Sequence, residues 1–489
     1  MLVDAFLETC DRVPDRLAVA DHARELTYGR LARVAVVLRS VVLKETQSDR
    51  VGICLPACAM FPAVAFGVWW AAKKVIPVNF LLSEDELGHV VRDAGMDLVI
   101  SVRHFDRMLS HLPVRRVMLE DLPIRRRVLT TRFQRRPPVP RPHPDDTAVI
   151  LYTSGTSAVP RGVELTHRNL KSNCDNCIAT ARFTGDHRFL NVLPPFHVFG
   201  LTANVLAPVV RGCTVFALPR FRPAAVLERV REKGISVLMA TPSMYAAMMR
   251  VKSPPPAVLE SLYLAISGGE PLPTDVEDGC RDRLGAELLQ GYGLTETSPV
   301  VSLCAPHAKK RGTVGRPIEN TFVRTVDETE TDTPPGVPGE VWVRGPGVMK
   351  GYHRRPEETG AAITADGWFK TGDVGTVDAD GFLSITGRKK EMIIVGGENV
   401  FPSEIEGVLA RHPAVRQAAV IGVKDASRVE VPVAFVLLED GAQAEPIELR
   451  RFAREHLAGY KVPRDVRIAS DLPLGPTGKI LKRKLSDLL

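Results

Sequence analysis

The sequence predicts an α/β protein: a large N-terminal domain of two α/β subdomains plus a small β-barrel-like subdomain, followed by a small α+β domain. Three observations predict it. Up to about Val300, short apolar runs alternate with amphipathic helical patterns, as in parallel sheets joined by crossover helices. From Gly312 to Arg388 the text changes to short strands between Gly- and Pro-rich turns, as in a small antiparallel, barrel-like unit. Behind Arg388 the chain mixes strand-like and helix-like runs. At 489 residues it is too long for one hydrophobic core.

The elements follow in order. Val51 to Leu55 and Leu98 to Ile100 read as buried strands. Glu84 to Ala94 is helical between them, with Ser83 as its N-cap. Ala59 to Ala72 is the most apolar run; it is too short to span a bilayer and reads as a buried helix. Pro137 to Pro144 is proline-rich and reads as an extended linker, placing a subdomain boundary near residue 145. Thr147 to Tyr152 is a strand, Thr153 to Gly162 a loop, and Thr166 the cap of a following helix. Gly339 to Arg344 is a strand of the barrel-like stretch. In the last part, Val415 to Val423 and Val431 to Leu438 are strands and Ile447 to Leu457 is a helix. The expected boundaries are 1–145, 146–311 and 312–387 within the large domain, then 391–489.

The net charge of +7 suits anionic ligands without choosing among them. Much of the excess lies between Arg103 and Arg141, including Arg115, Arg116, Arg125, Arg126, Arg127, Arg135 and Arg136. Aromatic residues do not interleave with them, so nucleic acid is not expected as a partner. A solvated face is the plain reading, with peripheral membrane contact as the limit of any membrane role. Met1-Leu2-Val3-Asp4 lacks the basic opening of a signal peptide, so a cytoplasmic location is expected. Cys174 and Cys177 form a CxxC without a second ligand pair, which argues for ordinary helix residues over a zinc site.

The strongest local signal is Tyr152 to Val163, with Thr153, Ser154, Gly155, Thr156, Ser157 and Arg161. Glycine lets backbone approach a polyphosphate, hydroxyls donate to it, and a cation offsets its charge. It is not a Walker A loop, because Gly-Lys-Ser/Thr is missing at the required spacing. The stretch resembles the phosphate loop of the acyl-CoA synthetase, or adenylate-forming, superfamily. It departs at Ala158, where that family has glycine, and at Arg161, where it has lysine. Arg161→Lys is therefore expected to be tolerated or helpful for ATP use.

The resemblance continues down the chain. Ser267-Gly268-Gly269-Glu270-Pro271 is similar to the family's adenine-side loop, drawing in Gly269, Glu270 and Pro271. Gln290-Gly291-Tyr292-Gly293-Leu294-Thr295-Glu296-Thr297 matches its second nucleotide motif. By that likeness Gln290 and Gly291 line the nucleotide, Tyr292 stacks on adenine, Thr295 contacts the α-phosphate and Glu296 binds Mg²⁺. Asp373 would grip the ribose hydroxyls and Arg388 would reach the nucleotide. Lys390, in 388–390, would be the hinge of a mobile lid formed by 391–489. Gly396 and Gly397 would line a coenzyme A tunnel. Lys479 would bridge the substrate carboxylate and the α-phosphate, and His197 would gate the acyl pocket.

The resemblance implies an acid–thiol ligase that uses ATP and Mg²⁺ to form an acyl-AMP from a small-molecule carboxylic acid and passes the acyl group to coenzyme A. Fatty acyl-CoA ligases are the nearest likeness. No aspartate stands between Leu193 and Arg211 to pair with an ammonium, which argues against amino-acid substrates. Two alternatives stay open: an acyl carrier protein as the thiol acceptor, and a catalytically impaired nucleotide-binding homologue, suggested only by Ala158 and Arg161.

Overall fold

The computed structural model describes residues 1–131, 135–153, 160–425, 429–473 and 480–489. Packing divides the chain into two units: residues 1–272, 276–323 and 343–369, and residues 273–275, 324–342 and 370–489.

The first unit holds two mostly parallel sheets. The nine-stranded sheet runs in the order Arg316–Pro317, Val300–Leu303, Leu288–Gly293, Leu264–Gly268, Val237–Ala240, Arg188–Asn191, Thr214–Ala217, Leu17–Ala20 and Glu25–Thr27. Its six central strands are parallel. The seven-stranded sheet runs Gly351–Tyr352, Arg161–Thr166, Thr147–Thr153, Lys74–Pro77, Arg50–Cys54, Leu98–Ser101 and Arg115–Met118. Both sheets are open.

One large core joins the inner faces of both sheets to the helices between them. The helix Met60–Trp70 is buried along its whole length, as its apolar text required. Gly67 lets it approach the helix Tyr28–Glu45. A Cβ on Gly67 would stand 2.9 Å from the Ala35 carbonyl oxygen. Phe66 stacks on Phe6 at 4.0 Å between ring centroids. Separate cores cover the two outer faces, one with the helices Pro223–Lys233 and Pro242–Met249, the other with Glu84–Ala94. The last helix starts at a capping box, with Ser83 accepting from the Glu86 N–H and the Glu86 carboxylate accepting from Ser83.

The boundary expected near residue 145 does not separate the sheets. Strand Thr147–Thr153 joins the seven-stranded sheet, with Val149 beside Val75, and strand Leu17–Ala20 joins the nine-stranded one, with Val19 beside Val215. The proline stretch is a connection over a shared core: the Pro138 carbonyl accepts from the Trp70 indole at 3.2 Å. Linker composition reports where a chain is extended, not which strands pair across it.

In the second unit, the strands Phe322–Val326, Gly339–Arg344, Phe369–Val377 and Leu383–Arg388 form a four-stranded sheet, with a few residues at their ends belonging to the first unit. The barrel-like stretch is thus an open sheet. It groups with the C-terminal residues instead of with 1–311. Ser403 Oγ donates to the Thr386 carbonyl at 2.6 Å, and Gly387 leaves room for the Phe401 ring. Beyond it, Glu398–Val400, Ile393–Val395, Val429–Leu438 and Val415–Asp425 form a second sheet, with Asp465–Ile468 pairing in parallel to Val429–Leu438. The helices Pro402–Leu409 and Pro446–His456 pack on one face through Ile405, Leu409, Leu449 and Ala453.

Several arginines of the basic stretch are paired: Arg115 with Glu45, Arg116 with Asp106, Arg136 with Asp11 and Arg103 with Asp121. Among the described residues no helix is long and apolar enough to cross a membrane. Cys174 and Cys177 lie buried in the helix His167–Ala181, where burial pushes the Cys177 thiol up to about 12.

Candidate active site

In the first unit, four adjacent parallel strands carry candidate motifs at their carboxyl ends. Behind Arg188–Asn191 come Pro195, Phe196 and His197, and behind Val237–Ala240 comes Thr241. Gly269, Glu270 and Pro271 follow Leu264–Gly268, and Tyr292 lies at the end of Leu288–Gly293. Ser267 sits beside Gln290 and Gly268 beside Gly291 in register, so two segments more than twenty residues apart become neighbours. The crevice outside the carboxyl ends of an open parallel sheet is where such folds bind ligands. Gly269 has φ +86, a left-handed conformation that suits glycine as the chain turns out of the sheet.

His197 is half-buried. Its backbone N–H donates to the Pro194 carbonyl, and its carbonyl accepts from Leu201 as the π-helical turn Phe199–Leu206 begins. Gly200 is required there, since a Cβ would lie 2.2 Å from the Pro194 oxygen.

Thr295, Glu296 and Thr297 form a single helical turn. The Thr297 hydroxyl donates to the Pro299 carbonyl at 2.6 Å, Asn173 donates to the Thr297 carbonyl at 3.2 Å, and the Glu296 carbonyl accepts from Met349 at 2.8 Å. The turn is therefore held from three sides, and Glu296 is buried. The Tyr352 hydroxyl donates to its Oε1 at 3.0 Å, and Arg161 Nη2 lies 3.4 Å from the same oxygen. Magnesium needs only one or two protein carboxylates beside phosphate oxygens and water. Glu296, fixed by a phenol, fits that demand. Among the described residues no group of three or more His, Cys, Asp or Glu could hold a metal by itself.

The phosphate-loop candidate has a different frame from the one expected. Thr153 ends a strand, and Arg161 opens the antiparallel strand Arg161–Thr166, with the two residues in register. The strand Arg161–Thr166 was not expected, whereas the helix does begin after Thr166, which caps it through Asn169. The missed signal was Val163 to Thr166, four residues that fit a short strand as well as a loop end. Ser154, Gly155, Thr156 and Ser157 lie outside the described residues, as does Lys479.

In the second unit, Asp373 and Arg388 face each other on adjacent antiparallel strands, 2.9 Å apart. Lys389 pairs with Glu340 at 3.0 Å, and Lys390 is exposed in the turn Lys389–Glu391. Gly396 and Gly397 form the tip of a hairpin at φ +61 and +92. A two-residue hairpin turn demands those angles, so the turn alone accounts for both glycines.

Tyr352 and Glu358 were not among the residues expected to matter. Both approach Arg161 from about 190 residues away in sequence: its Nη1 lies 3.4 Å from Glu358, and its guanidinium carbon 4.2 Å from the Tyr352 ring centroid. No local pattern marks such a contact.

Against this geometry, the profile of the AMP-binding enzyme family matches residues 6–353, and that of the AMP-binding enzyme C-terminal domain matches residues 404–479. The chain belongs to the AMP-binding enzyme family. Among its relatives, a protein named feruloyl-CoA synthase from Amycolatopsis is 37% identical over 478 residues, covering 96% of this chain and 95% of that one. A long-chain-fatty-acid–CoA ligase from Bacillus subtilis is 33% identical over 519 residues, covering 98% and 92%. Among solved structures, ATP-bound MatB from Rhodopseudomonas palustris superposes with a TM-score of 0.91 at 28% identity, covering 100% of this chain and 99% of that one. The o-succinylbenzoate coenzyme A synthetase MenE of Bacillus subtilis, in complex with ATP and magnesium ion, matches at 0.86 and 27% identity, covering 99% of each. This AMP-binding enzyme is accordingly an adenylate-forming acyl-CoA synthetase, with the large and small domains that its text announced.

Proposed function

We propose that this enzyme activates a carboxylic acid with an apolar tail, a fatty acid in the first reading, and transfers it to coenzyme A. The carboxylate attacks the α-phosphorus of MgATP, forming acyl-AMP and releasing pyrophosphate. A thiol then attacks the acyl carbon and AMP leaves. When bound, magnesium screens the phosphate charge.

The observation that carries the reading is the placement of Tyr292, Gly269 and Glu270 at neighbouring strand ends, on the sheet whose next turn fixes Glu296. In this proposal Tyr292 stacks on adenine, with Gln290, Gly291 and Pro271 around it, and Thr295 contacts the α-phosphate. Thr153, Ser154, Gly155, Thr156, Ser157 and Arg161 receive the outer phosphates. Asp373 takes the ribose, Arg388 supports it, and Lys479 neutralises the charge built up as one anion attacks another. Lys390 serves as the hinge between the two half-reactions, and His197 gates the acyl pocket. Gly396 and Gly397 remain assigned to the thiol path.

A second reading has its own support. Thr202 and Asn204 are fully buried in the π-helical turn, and the Thr202 hydroxyl and both amide atoms of Asn204 lack partners among the described residues. Buried polar atoms want partners, which favours an acid whose tail carries oxygen, such as a hydroxylated aromatic acid. The name of the 37%-identical relative points the same way. Carboxylate-dependent pyrophosphate exchange across saturated fatty acids and hydroxycinnamic acids decides between them. AMP release with coenzyme A, and separately with a loaded acyl carrier protein, decides the acceptor. Exchange with no acid in either class would sink both readings.

A further inference from the structure

Arg161 is held in a way that a simple phosphate-loop cation does not need. Its two terminal nitrogens divide between two carboxylates, Nη2 toward Glu296 and Nη1 toward Glu358, each at 3.4 Å. Its plane lies over the Tyr352 ring, 4.2 Å from the centroid. The Tyr352 hydroxyl donates to the Glu296 oxygen that Arg161 also faces. Glu358 is fixed from its other side by Arg355 at 2.7 Å, on the helix Pro356–Ala362. Thr359, the next residue of that helix, accepts from the Tyr352 N–H at 2.9 Å. Arg161 Nε is buried without a partner among the described residues.

Two features set this apart from an ordinary surface ion pair, which contributes little. Both carboxylate contacts are long, so neither satisfies the cation fully. The aromatic face and the forked contacts together fix the guanidinium plane, which a lysine cannot reproduce because it is a point charge on a flexible stem. The buried Nε–H is then left facing a place where an acceptor is wanted.

We propose that Tyr352 and Glu358 are positioning residues for MgATP: Glu358 and the Tyr352 ring set the Arg161 plane for the outer phosphates, while the Tyr352 hydroxyl aims Glu296 at the metal. This rests on the acid–thiol ligase reading and deepens it. Neither residue touches the reacting atoms. Their effect falls on the capture of the metal–triphosphate and not on the thiol step, which involves neither magnesium nor pyrophosphate. On this geometry Arg161→Lys is harmful, the reverse of what the family's usual lysine suggests.

The test uses the full-length enzyme with Glu358→Gln and Tyr352→Phe, each checked by thermal melting, and Glu358→Asp as a milder second variant. Calorimetry with MgATP reads binding apart from activity. Weakening of roughly ten- to a hundredfold is expected for both variants, the size of one lost hydrogen bond to a charged group. The KM for MgATP in pyrophosphate exchange should rise in parallel, with kcat within about twofold, and half-maximal velocity should need more Mg²⁺. Arg161→Lys should weaken MgATP binding similarly, and Glu358→Asp should recover part of the loss. Thioester formation from preformed acyl-AMP should proceed at the wild-type rate. Unchanged MgATP affinity in both Glu358→Gln and Tyr352→Phe overturns the proposal, and so does an equal loss in the two half-reactions. A wild-type enzyme that binds MgATP but shows no acid-dependent exchange refutes the ligase reading and leaves the clamp standing.

Discussion

Arg388 reaches across from one strand to its antiparallel neighbour and places Nε 2.9 Å from a carboxylate oxygen of Asp373. The aspartate is 4% exposed, while the arginine side chain is largely in solvent. A carboxylate oriented by a cation and held in a sheet is preorganised to accept from two adjacent hydroxyls. Asp373→Asn should therefore raise the KM for ATP by roughly tenfold or more. Melting should shift little, since the partner charge stays solvated. Steady-state kinetics against ATP check this; a lowered kcat at unchanged KM would remove Asp373 from the ribose.

The catalytic assignment of Lys479 predicts a split between half-reactions. Lys479→Ala should slow acyl-AMP formation by roughly 10²-fold or more, as loss of a preorganised charge does at other centres. Preformed acyl-AMP should still be consumed by coenzyme A. Single-turnover measurements of each step separate the outcomes, and equal damage to both would count against two separate poses.

Glu164 braces the hairpin that carries Thr153 and Arg161. It lies 2.6 Å from His353 Nδ1 and accepts from the Thr147 hydroxyl at 2.6 Å. Chiefly the His353 bond, against the opposing effect of burial, holds its carboxyl down at about 2, below an ordinary value of 4.5. A depressed carboxyl stabilises the fold in full above its unfolded pKa and loses that contribution as pH falls through its folded one. The window is therefore pH 4.5 down to about 2. Glu164→Gln should cost roughly 2–3 kcal/mol near neutral pH. The gap to wild type should narrow as the pH drops below 4.5. Melting curves of both proteins across that range test the sign; a gap that widens toward acid would reject the brace.

Gly67 marks the closest approach of two core helices, where a Cβ would meet the Ala35 carbonyl and Leu38 Cβ at 2.9 and 3.0 Å. Backbone cannot move aside as a side-chain tip can. Gly67→Val should destabilise by roughly 1–3 kcal/mol or more through overpacking. Unchanged melting would mean that the helices part more easily than their packing suggests.

The local elements were legible because their causes are local. Ser83 and Thr166 announced helix starts through caps that act over three residues. The buried helix Met60–Trp70 was written in unbroken apolar text. The candidate residues at strand ends were named in advance from motifs that resemble the family's, each read within a few positions, and the structure brings two of those motifs to neighbouring strand ends. The strand that follows the phosphate-loop segment was not legible, because a short strand such as Arg161–Thr166 differs from a loop end only by the partner it finds. The open sheet near residues 322–388 was read as barrel-like for a similar reason: turn composition reports strand count but not closure.

By itself, the sequence determined the fold class, the order of the motifs and the chemical types offered to a nucleotide. Periodicity, capping and residue chemistry are short-range properties that survive without coordinates. Only the tertiary structure decided that residues 147–153 complete a sheet begun near residue 50, and that Tyr352 and Glu358 close around Arg161. Those pairings join residues from about 70 to about 200 positions apart. They follow from how whole layers pack, which no window of sequence contains.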